Sequence, residues 1–237
     1  MTGLATTEIW DDAEALGAAI AERIVERIAQ VQRTGRTPSI VLTGGTIATA
    51  AYERIEAGDA DWTDVDFYWG DERFVPTGHA DRNDQQARDA FLDRLGVPEA
   101  HIHAMPAHGC DESMADAADG YGAALPDEPF DLVLHGMGPD GHIASLFPGY
   151  PQLHETTRRA VEVLDSPKPP PQRISLTFPS LNHAQSVWFL VSGDGKAEAV
   201  GRALGGATVD EIPATGAHGI AETVWLLDAG AAKDITA

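Results

Sequence analysis

His142 and Asp140 lie in a glycine-rich segment, 136–142, that directly follows the apolar run 130–135. An imidazole is the side chain most often used as a general base, and a nearby carboxylate can orient the ring and stabilise its charged form. We expect His142 to stand at the start of a helix, where the helix dipole favours the neutral ring that a base requires. The pattern predicts a general base oriented by Asp140 or Asp71. The alternative is a histidine that only caps the helix.

A second turn, Thr43-Gly44-Gly45-Thr46, follows the β-rich run 39–43 and begins a predicted helix over 46–56. Glycines let the backbone approach a ligand closely. The free amide groups and the dipole at the start of a helix attract negative charge. The turn therefore predicts an anion site, without identifying the anion.

Two further turns carry charged residues directly after predicted strands. Asp71 and Arg73 follow the run 66–69, and Lys196 follows the run 186–192. Ligands of open α/β sheets bind beyond the carboxyl ends of the strands. If these strands are parallel, all of these turns meet at one edge of the sheet. The alternative is that each turn only makes a tight connection.

Strand and helix signals alternate along the rest of the chain. They predict one domain over residues 1–237 with an α/β, Rossmann-like fold: a mostly parallel twisted sheet with helices on both faces. The predicted helices are 11–33, 46–56, 84–95 with Asn83 as N-cap, 111–124 and 196–204. The predicted strands are 39–43, 66–69, 101–105, 130–135, 160–164, 174–178, 186–192 and 223–227.

Composition excludes several classes of function. The 237 residues include 16 basic and 37 acidic side chains, a formal charge of −21, which disfavours nucleic acid and anionic membranes as partners. No apolar run reaches the roughly 18–20 residues that span a bilayer. Cys110 is the one cysteine, and we interpret it as inert. A single cysteine fits a reducing compartment, and residues 1–10 lack the features of a signal peptide. Together these observations predict a cytoplasmic protein.

Two motifs that suggest cofactors are rejected. Gly136-x-Gly138-x-x-Gly141 matches a dinucleotide-binding fingerprint, but Asp140 would then face a pyrophosphate. His101 and His103 alternate on a predicted strand without a third metal ligand at a suitable spacing, so we interpret them as structural. The sequence predicts no metal and no organic cofactor.

Longer motifs resemble the 6-phosphogluconolactonase family over nearly the whole chain. The motifs are Trp69-Gly-Asp-Glu-Arg73, the run from Asp131 to Gly149 with His-Gly-Met-Gly-Pro-Asp-Gly-His at its centre, Arg173-Ile-Ser-Leu-Thr177 and Lys196-Ala197. One departure is that Ile47 and Ala48 follow the glycine turn where this family usually has Thr-Pro. The departure affects a side-chain contact at that position and leaves the backbone amides unchanged.

The resemblance implies hydrolysis of 6-phospho-D-glucono-1,5-lactone to 6-phospho-D-gluconate in the pentose phosphate pathway. It implies that His142 is the base, with Asp71 and Asp140 orienting substrate or imidazole. Arg73 is expected at either the developing oxyanion or the phosphate. For the phosphate we expect the turn Thr43-Gly44-Gly45-Thr46 with Arg173 and Lys196. The oligomeric state, monomer or homodimer, stays open.

Two alternatives accompany this interpretation. The glucosamine-6-phosphate deaminases share the glycine turn and the Asp-Gly-His element, but their motif continues with a glutamate of the catalytic relay, where this chain has Phe147. A phenylalanine transfers no proton, so the resemblance favours the lactonase. The other alternative is a sugar-phosphate-sensing domain without activity, which turnover of the lactone would exclude.

Overall fold

The fold is built from a large parallel sheet and a small antiparallel one, in a computed structural model that describes residues 5–109 and 112–235. Cys110 and the first residue of the predicted helix 111–124 lie outside the described residues. The strands are β1 (Thr6–Trp10), β2 (Ser39–Leu42), β3 (Asp66–Trp69), β4 (Asp71–Arg73), β5 (Phe130–Gly136), β6 (Ala160–Val163), β7 (Arg173–Leu176), β8 (Ala184–Val191) and β9 (Glu222–Asp228).

The large sheet has the strand order β1-β9-β8-β5-β2-β3, and all of its strands run parallel. Its central strands are continuous apolar runs. In β5, for example, Phe130, Leu132, Val133 and Leu134 are each at most 1% exposed. Such runs are typical of parallel strands that are covered on both faces. The predicted α/β fold with a mostly parallel sheet is confirmed.

Helices flank this sheet. The longest, α1 (Ala13–Gln32), is capped by Asp12, whose carboxylate accepts a hydrogen bond from the Ala15 amide at 2.8 Å. Its buried stripe includes Leu16, Ile20 and Ile24, and these residues have the spacing of three to four positions from which the helix was predicted. The other helices are α2 (Thr46–Tyr52), α3 (Asn83–Ala87), α4 (Met114–Ala124), α5 (Phe178–Leu181), α6 (Ala197–Leu204) and α7 (Ala229–Ala232). Among the described residues, none of the helices has the length and apolarity to cross a membrane.

The small antiparallel sheet, with the order β4-β7-β6, corrects the sequence interpretation. The runs 160–164 and 174–178 were predicted as strands of one mostly parallel sheet, and 70–73 as a turn. The chain leaves the large sheet at Gly70, whose amide donates to Leu42 O and whose carbonyl accepts from the Leu176 amide. Strand β4 follows at once and has three residues, too few for a hydrophobic period to show.

Three local features differ from the sequence predictions. The exposed strand β1 was missed. The predicted strand 101–105 begins with a 3-10 turn over Glu99–His101 and has only an isolated bridge from Ile102 to Phe67. The predicted helix 84–95 is α3 followed by a π-helical turn over Arg88–Leu92.

Asn83 is the first residue of α3 and not its N-cap. The reason lies in another element, because the buried carboxylate of Glu72 accepts hydrogen bonds from the amides of Asn83 and Asp84 at 2.8 and 2.9 Å. Glu72 therefore satisfies the first donors of the helix. The Asn83 side chain is free to take part in the site described below.

Candidate active site

A cavity of about 670 Å³ opens where β2, β5 and β8 end, at the carboxyl edge of the large sheet. It collects residues from segments far apart in the chain, as the switch-point rule for open α/β sheets predicts. Of the residues proposed from the sequence, all but Asp140 line it: Thr43, Gly44, Gly45, Thr46, Asp71, Arg73, His142, Arg173 and Lys196. Asn83 and Lys168, which the sequence interpretation did not assign to the site, line it as well.

Asp140 contacts the imidazole of His142, with 2.5 Å between Asp140 Oδ1 and His142 Nδ1. Partial burial of Asp140 works in the opposite direction, but the hydrogen bond to His142 and the charges of His142 and Lys168 lower the pKa of Asp140 to about 2. A carboxylate can only accept, so Nδ1 carries the proton. The lone pair of Nε2 is left for a proton from the ligand.

The chain around His142 corrects one expectation, because no helix begins there; residues 137–142 form an irregular turn. The ring is instead held by packing. It lies 4.8 Å from the Phe147 ring, and a Cβ atom on Gly138 would stand 2.0 Å from His142 Nδ1. Gly138, which belongs to the segment that matches the dinucleotide fingerprint, is therefore required for a different reason: the imidazole lies against its backbone and leaves no room for a side chain.

Asp71 does not orient His142. It is 7% exposed, and its Oδ2 accepts a hydrogen bond from the Ser145 hydroxyl at 2.6 Å. The Asn83 side chain donates to the Asp71 carbonyl at 2.9 Å. Of the two carboxylates proposed to orient the imidazole, only Asp140 makes the contact among the described residues.

The glycine turn and Arg73 form one end of the cavity. Arg73 Nη1 donates to Asp81 O at 2.7 Å and to Asn83 Oδ1 at 2.8 Å. The backbone of Gly44 lies against the same amide, because a Cβ atom there would stand 2.1 Å from Asn83 Oδ1. Thr43 Oγ1 accepts from the Gly136 amide at 3.1 Å and ties the ends of β2 and β5 together.

Arg173 and Lys196 supply two further cations. Arg173 is 5% exposed and uses Nε and Nη2 on the carbonyls of Pro170 and Lys168, at 3.2 and 3.1 Å. Its Nη1 lies 3.7 Å from Asp71 Oδ2. Lys196 donates to the Met137 carbonyl. Burial lowers the pKa of Lys196, and the Lys168 charge lowers it further.

Lys168 was missed by the sequence interpretation, which treated residues 167–173 only as a proline-rich loop. Its Nζ lies 3.4 Å from His142 Nδ1. The signal that was available was a lysine directly before the prolines that lead into Arg173. Four of the chain's 16 basic residues line this cavity, although acidic residues exceed basic ones by more than two to one overall. The arrangement is suited to a small anion.

The described residues contain no group of three or more His, Cys, Asp or Glu arranged for a metal. His101 and His103 both contact Asp66 Oδ1, at 2.8 and 3.0 Å, away from the cavity residues. The chemistry that this site offers is acid–base chemistry on an anionic ligand.

Comparison with known proteins identifies the family. Residues 11–225 match the family of glucosamine-6-phosphate isomerases and 6-phosphogluconolactonases. The chain belongs to this family. Within it, the chain is 44% identical over 240 residues to the 6-phosphogluconolactonase of Mycobacterium tuberculosis, covering 96% of this chain and 97% of the relative. It is 43% identical over 240 residues to the 6-phosphogluconolactonase of Streptomyces coelicolor, covering 94% and 92%.

Solved structures of the family share the fold. The 6-phosphogluconolactonase of Trypanosoma brucei superposes with a TM-score of 0.84 at 26% identity, covering 98% of this chain and 99% of that one. A monomeric glucosamine-6-phosphate deaminase superposes with a TM-score of 0.81 at 18% identity, covering 97% and 99%. The fold is therefore common to lactonases and deaminases. It cannot distinguish the two activities, so the distinction must come from the residues of the site.

Proposed function

We propose that this protein hydrolyses 6-phospho-D-glucono-1,5-lactone to 6-phospho-D-gluconate, the lactonase step of the pentose phosphate pathway. The observation that carries the proposal is the Asp140–His142 pair, whose imidazole lines a cavity together with four cationic side chains. Full-length relatives at 40–44% identity that bear the name 6-phosphogluconolactonase support it. The single cysteine favours the cytoplasm as the compartment.

In the proposed mechanism, His142 Nε2 takes a proton from water as the water oxygen bonds to the lactone carbonyl carbon. The carbonyl π pair moves to the carbonyl oxygen and forms a tetrahedral oxyanion. When the carbonyl re-forms, the bond from that carbon to the ring oxygen breaks, and His142 returns the proton to the ring oxygen. The carboxylic acid formed then loses the second proton of the water to solvent. Asp140 stabilises the imidazolium between the two transfers. General acid–base catalysis of this kind contributes about 10²–10⁴ in rate.

The phosphate is assigned to the end of the cavity formed by the turn Thr43-Gly44-Gly45-Thr46, with Arg73 beside it. Lys196 and the Nη1 group of Arg173, whose other donors are engaged by the backbone, add positive charge. Asp71 is held by Ser145 and Asn83 and is available to orient a substrate hydroxyl. The proposed chemistry requires no metal and no organic cofactor.

The deaminase alternative is disfavoured by Phe147. This residue is 1% exposed and lies against the His142 ring, where the deaminase motif has its relay glutamate. A benzyl side chain there cannot transfer a proton. A sensing domain without activity is disfavoured by the Asp140–His142 pair, which has the arrangement of a working base.

The test is hydrolysis of the lactone by the purified chain, corrected for the spontaneous rate. We expect kcat/KM for the 6-phosphorylated lactone to exceed that for glucono-1,5-lactone by at least about 100-fold, since each charge-assisted bond contributes about 1.5–3 kcal/mol. His142→Asn serves as the inactive control. Absence of turnover above the spontaneous rate would overturn the proposed function. Equal kcat/KM for the two lactones would overturn only the phosphate assignment.

A further inference from the structure

Lys168 brings an ammonium group to the proposed base. Its Nζ lies 3.4 Å from His142 Nδ1, and the residue lines the cavity. Among residues 5–109 and 112–235, no carboxylate forms a salt bridge with it. The Lys168 charge lowers the pKa of Asp140, but that carboxylate is hydrogen-bonded to His142, so the half-buried ammonium has no direct ion pair among the described residues.

The neighbouring imidazole does not accept a hydrogen bond from Lys168 either. Because the ionised Asp140 can only accept a hydrogen bond, Nδ1 of His142 donates to it and has no lone pair for Lys168. The contact between Nζ and Nδ1 is therefore proximity and not a hydrogen bond. The N–H groups of Lys168 have no acceptor among the described side chains and are available to a ligand in the cavity.

The main chain of Lys168 is held in place from both sides. Its carbonyl accepts hydrogen bonds from Arg173 Nη2 at 3.1 Å and from the Ser166 hydroxyl at 3.0 Å. Its amide donates to Ser166 Oγ at 3.3 Å. A cation whose backbone is held before the ligand arrives stabilises developing charge without a cost of reorganisation.

The contact with the imidazole indicates which part of the substrate Lys168 binds. A lactone attacked by water at His142 has its carbonyl carbon beside that imidazole, and Lys168 lies against the same ring. Arg73 makes no contact with this ring; its Nη1 and the Gly44 backbone both lie against the Asn83 amide. The two cations therefore serve different parts of the ligand.

We propose that Lys168 is a catalytic residue that stabilises the oxyanion at the lactone carbonyl and then binds the product carboxylate. The inference rests on the proposed lactonase reaction. As the water oxygen bonds to carbon, the π pair moves to the carbonyl oxygen, where the ammonium of Lys168 balances the charge, while the proton goes to His142 Nε2. Lys168 stays protonated throughout, because the proton that reaches the ring oxygen comes from His142.

The test compares Lys168→Met with Lys196→Met, a cation assigned to the phosphate. Hydrolysis of the phosphorylated lactone gives kcat and KM. Binding of 6-phosphogluconate and of glucitol 6-phosphate, which has the phosphate but no carboxylate, gives affinities by calorimetry. Lys168→Arg keeps the charge, and circular dichroism checks that each variant folds.

For Lys168→Met we expect kcat to fall about 10²–10³-fold, the size of effect seen when an oxyanion donor is removed. KM and the affinity for glucitol 6-phosphate should change less than about threefold, whereas 6-phosphogluconate should bind about tenfold more weakly. Lys168→Arg should recover part of kcat, and Lys196→Met should weaken both ligands alike.

The inference is overturned if Lys168→Met keeps the wild-type kcat, or if it weakens both ligands equally, which would place Lys168 at the phosphate. It is also overturned if Lys168→Arg is as slow as a folded Lys168→Met variant. A wild-type protein that fails to hydrolyse the lactone would instead refute the proposed function, so the two failures are distinguishable.

Discussion

Asp140 Oδ1 lies 2.5 Å from His142 Nδ1, and this contact determines which imidazole nitrogen can accept a proton. The pKa of Asp140, about 2, keeps the carboxylate ionised at neutral pH. Nδ1 therefore holds the ring proton, and the lone pair of Nε2 can accept a proton. The short sequence Asp-Gly-His brings the two side chains together, and Gly138, two residues before Asp140, leaves room for the ring.

The first prediction concerns this pair. His142→Asn should lower kcat by about 10²–10⁴, because proton transfer is lost. The affinity for 6-phosphogluconate should change less than about tenfold, since the phosphate end is intact. Asp140→Asn should also lower kcat by roughly 10²–10⁴, because an amide that donates to Nδ1 moves the ring proton to Nε2. Steady-state kinetics and calorimetry measure both; a His142→Asn variant with most of its kcat would make Asp71 the next candidate for the base.

The second prediction concerns Asn83, which joins the glycine turn, Asp71 and Arg73. Asn83→Ala should raise KM for the phosphorylated lactone about tenfold and change kcat less, because one charge-assisted bond to Arg73, in the range of about 1.5–3 kcal/mol, is lost. The matched control is Gln86→Ala, which removes an exposed amide that donates to Ala80 O at 3.0 Å. A kcat loss larger than the KM change would instead place Arg73 at the reacting carbonyl.

The third prediction separates the two activities of the family. The wild-type protein should release no ammonia from glucosamine 6-phosphate, because Phe147 stands where the deaminases have a proton-transferring glutamate. A coupled ammonia assay with the lactone reaction as positive control measures this. Stoichiometric ammonia and fructose 6-phosphate would contradict the assignment.

The fourth prediction concerns stability and pH. His135 is 1% exposed at the end of β5, and its Nε2 has no hydrogen-bond partner among the described residues. Burial lowers the pKa of His135 from 6.5 to about 3. Between these values the unfolded chain binds a proton that the folded chain does not. His135 therefore does not affect the free energy of unfolding above about pH 6.5. From there down to about pH 3, the free energy of unfolding decreases by about 1.4 kcal/mol for each pH unit.

Urea denaturation at pH 7 and pH 5 measures this effect. The wild-type free energy of unfolding should fall between the two pH values by about 2 kcal/mol more than that of His135→Leu, in which the titrating group is absent. Equal pH dependence in the two proteins would show that His135 takes up its proton in the folded state.

Much of the fold followed from local signals in the sequence. Strands that are buried on both faces must be apolar throughout, so apolar runs of strand length predicted β2, β3, β5, β8 and β9. A helix that is buried on one face must repeat apolar residues every three to four positions, and this period predicted α1. The same signals placed the segments 43–46, 70–73 and 136–142 at one edge of the sheet, although residues 71–73 form β4 and not a turn. Most of the hydroxyl, carboxylate, imidazole and cationic groups at that edge were therefore predicted from the sequence alone, whereas Asn83 and Lys168 were not.

Only the tertiary structure decided how these groups pair. Asp71 and Asp140 were equal candidates to orient His142, and the distances select Asp140. Lys168 meets an imidazole 26 residues earlier in the chain, and Glu72 caps a helix 11 residues later. Strands of three or four residues formed a second, antiparallel sheet. These outcomes depend on which donors and acceptors from distant segments come within hydrogen-bond distance. That competition is resolved only when the chain is packed, and residue type and local period do not encode it.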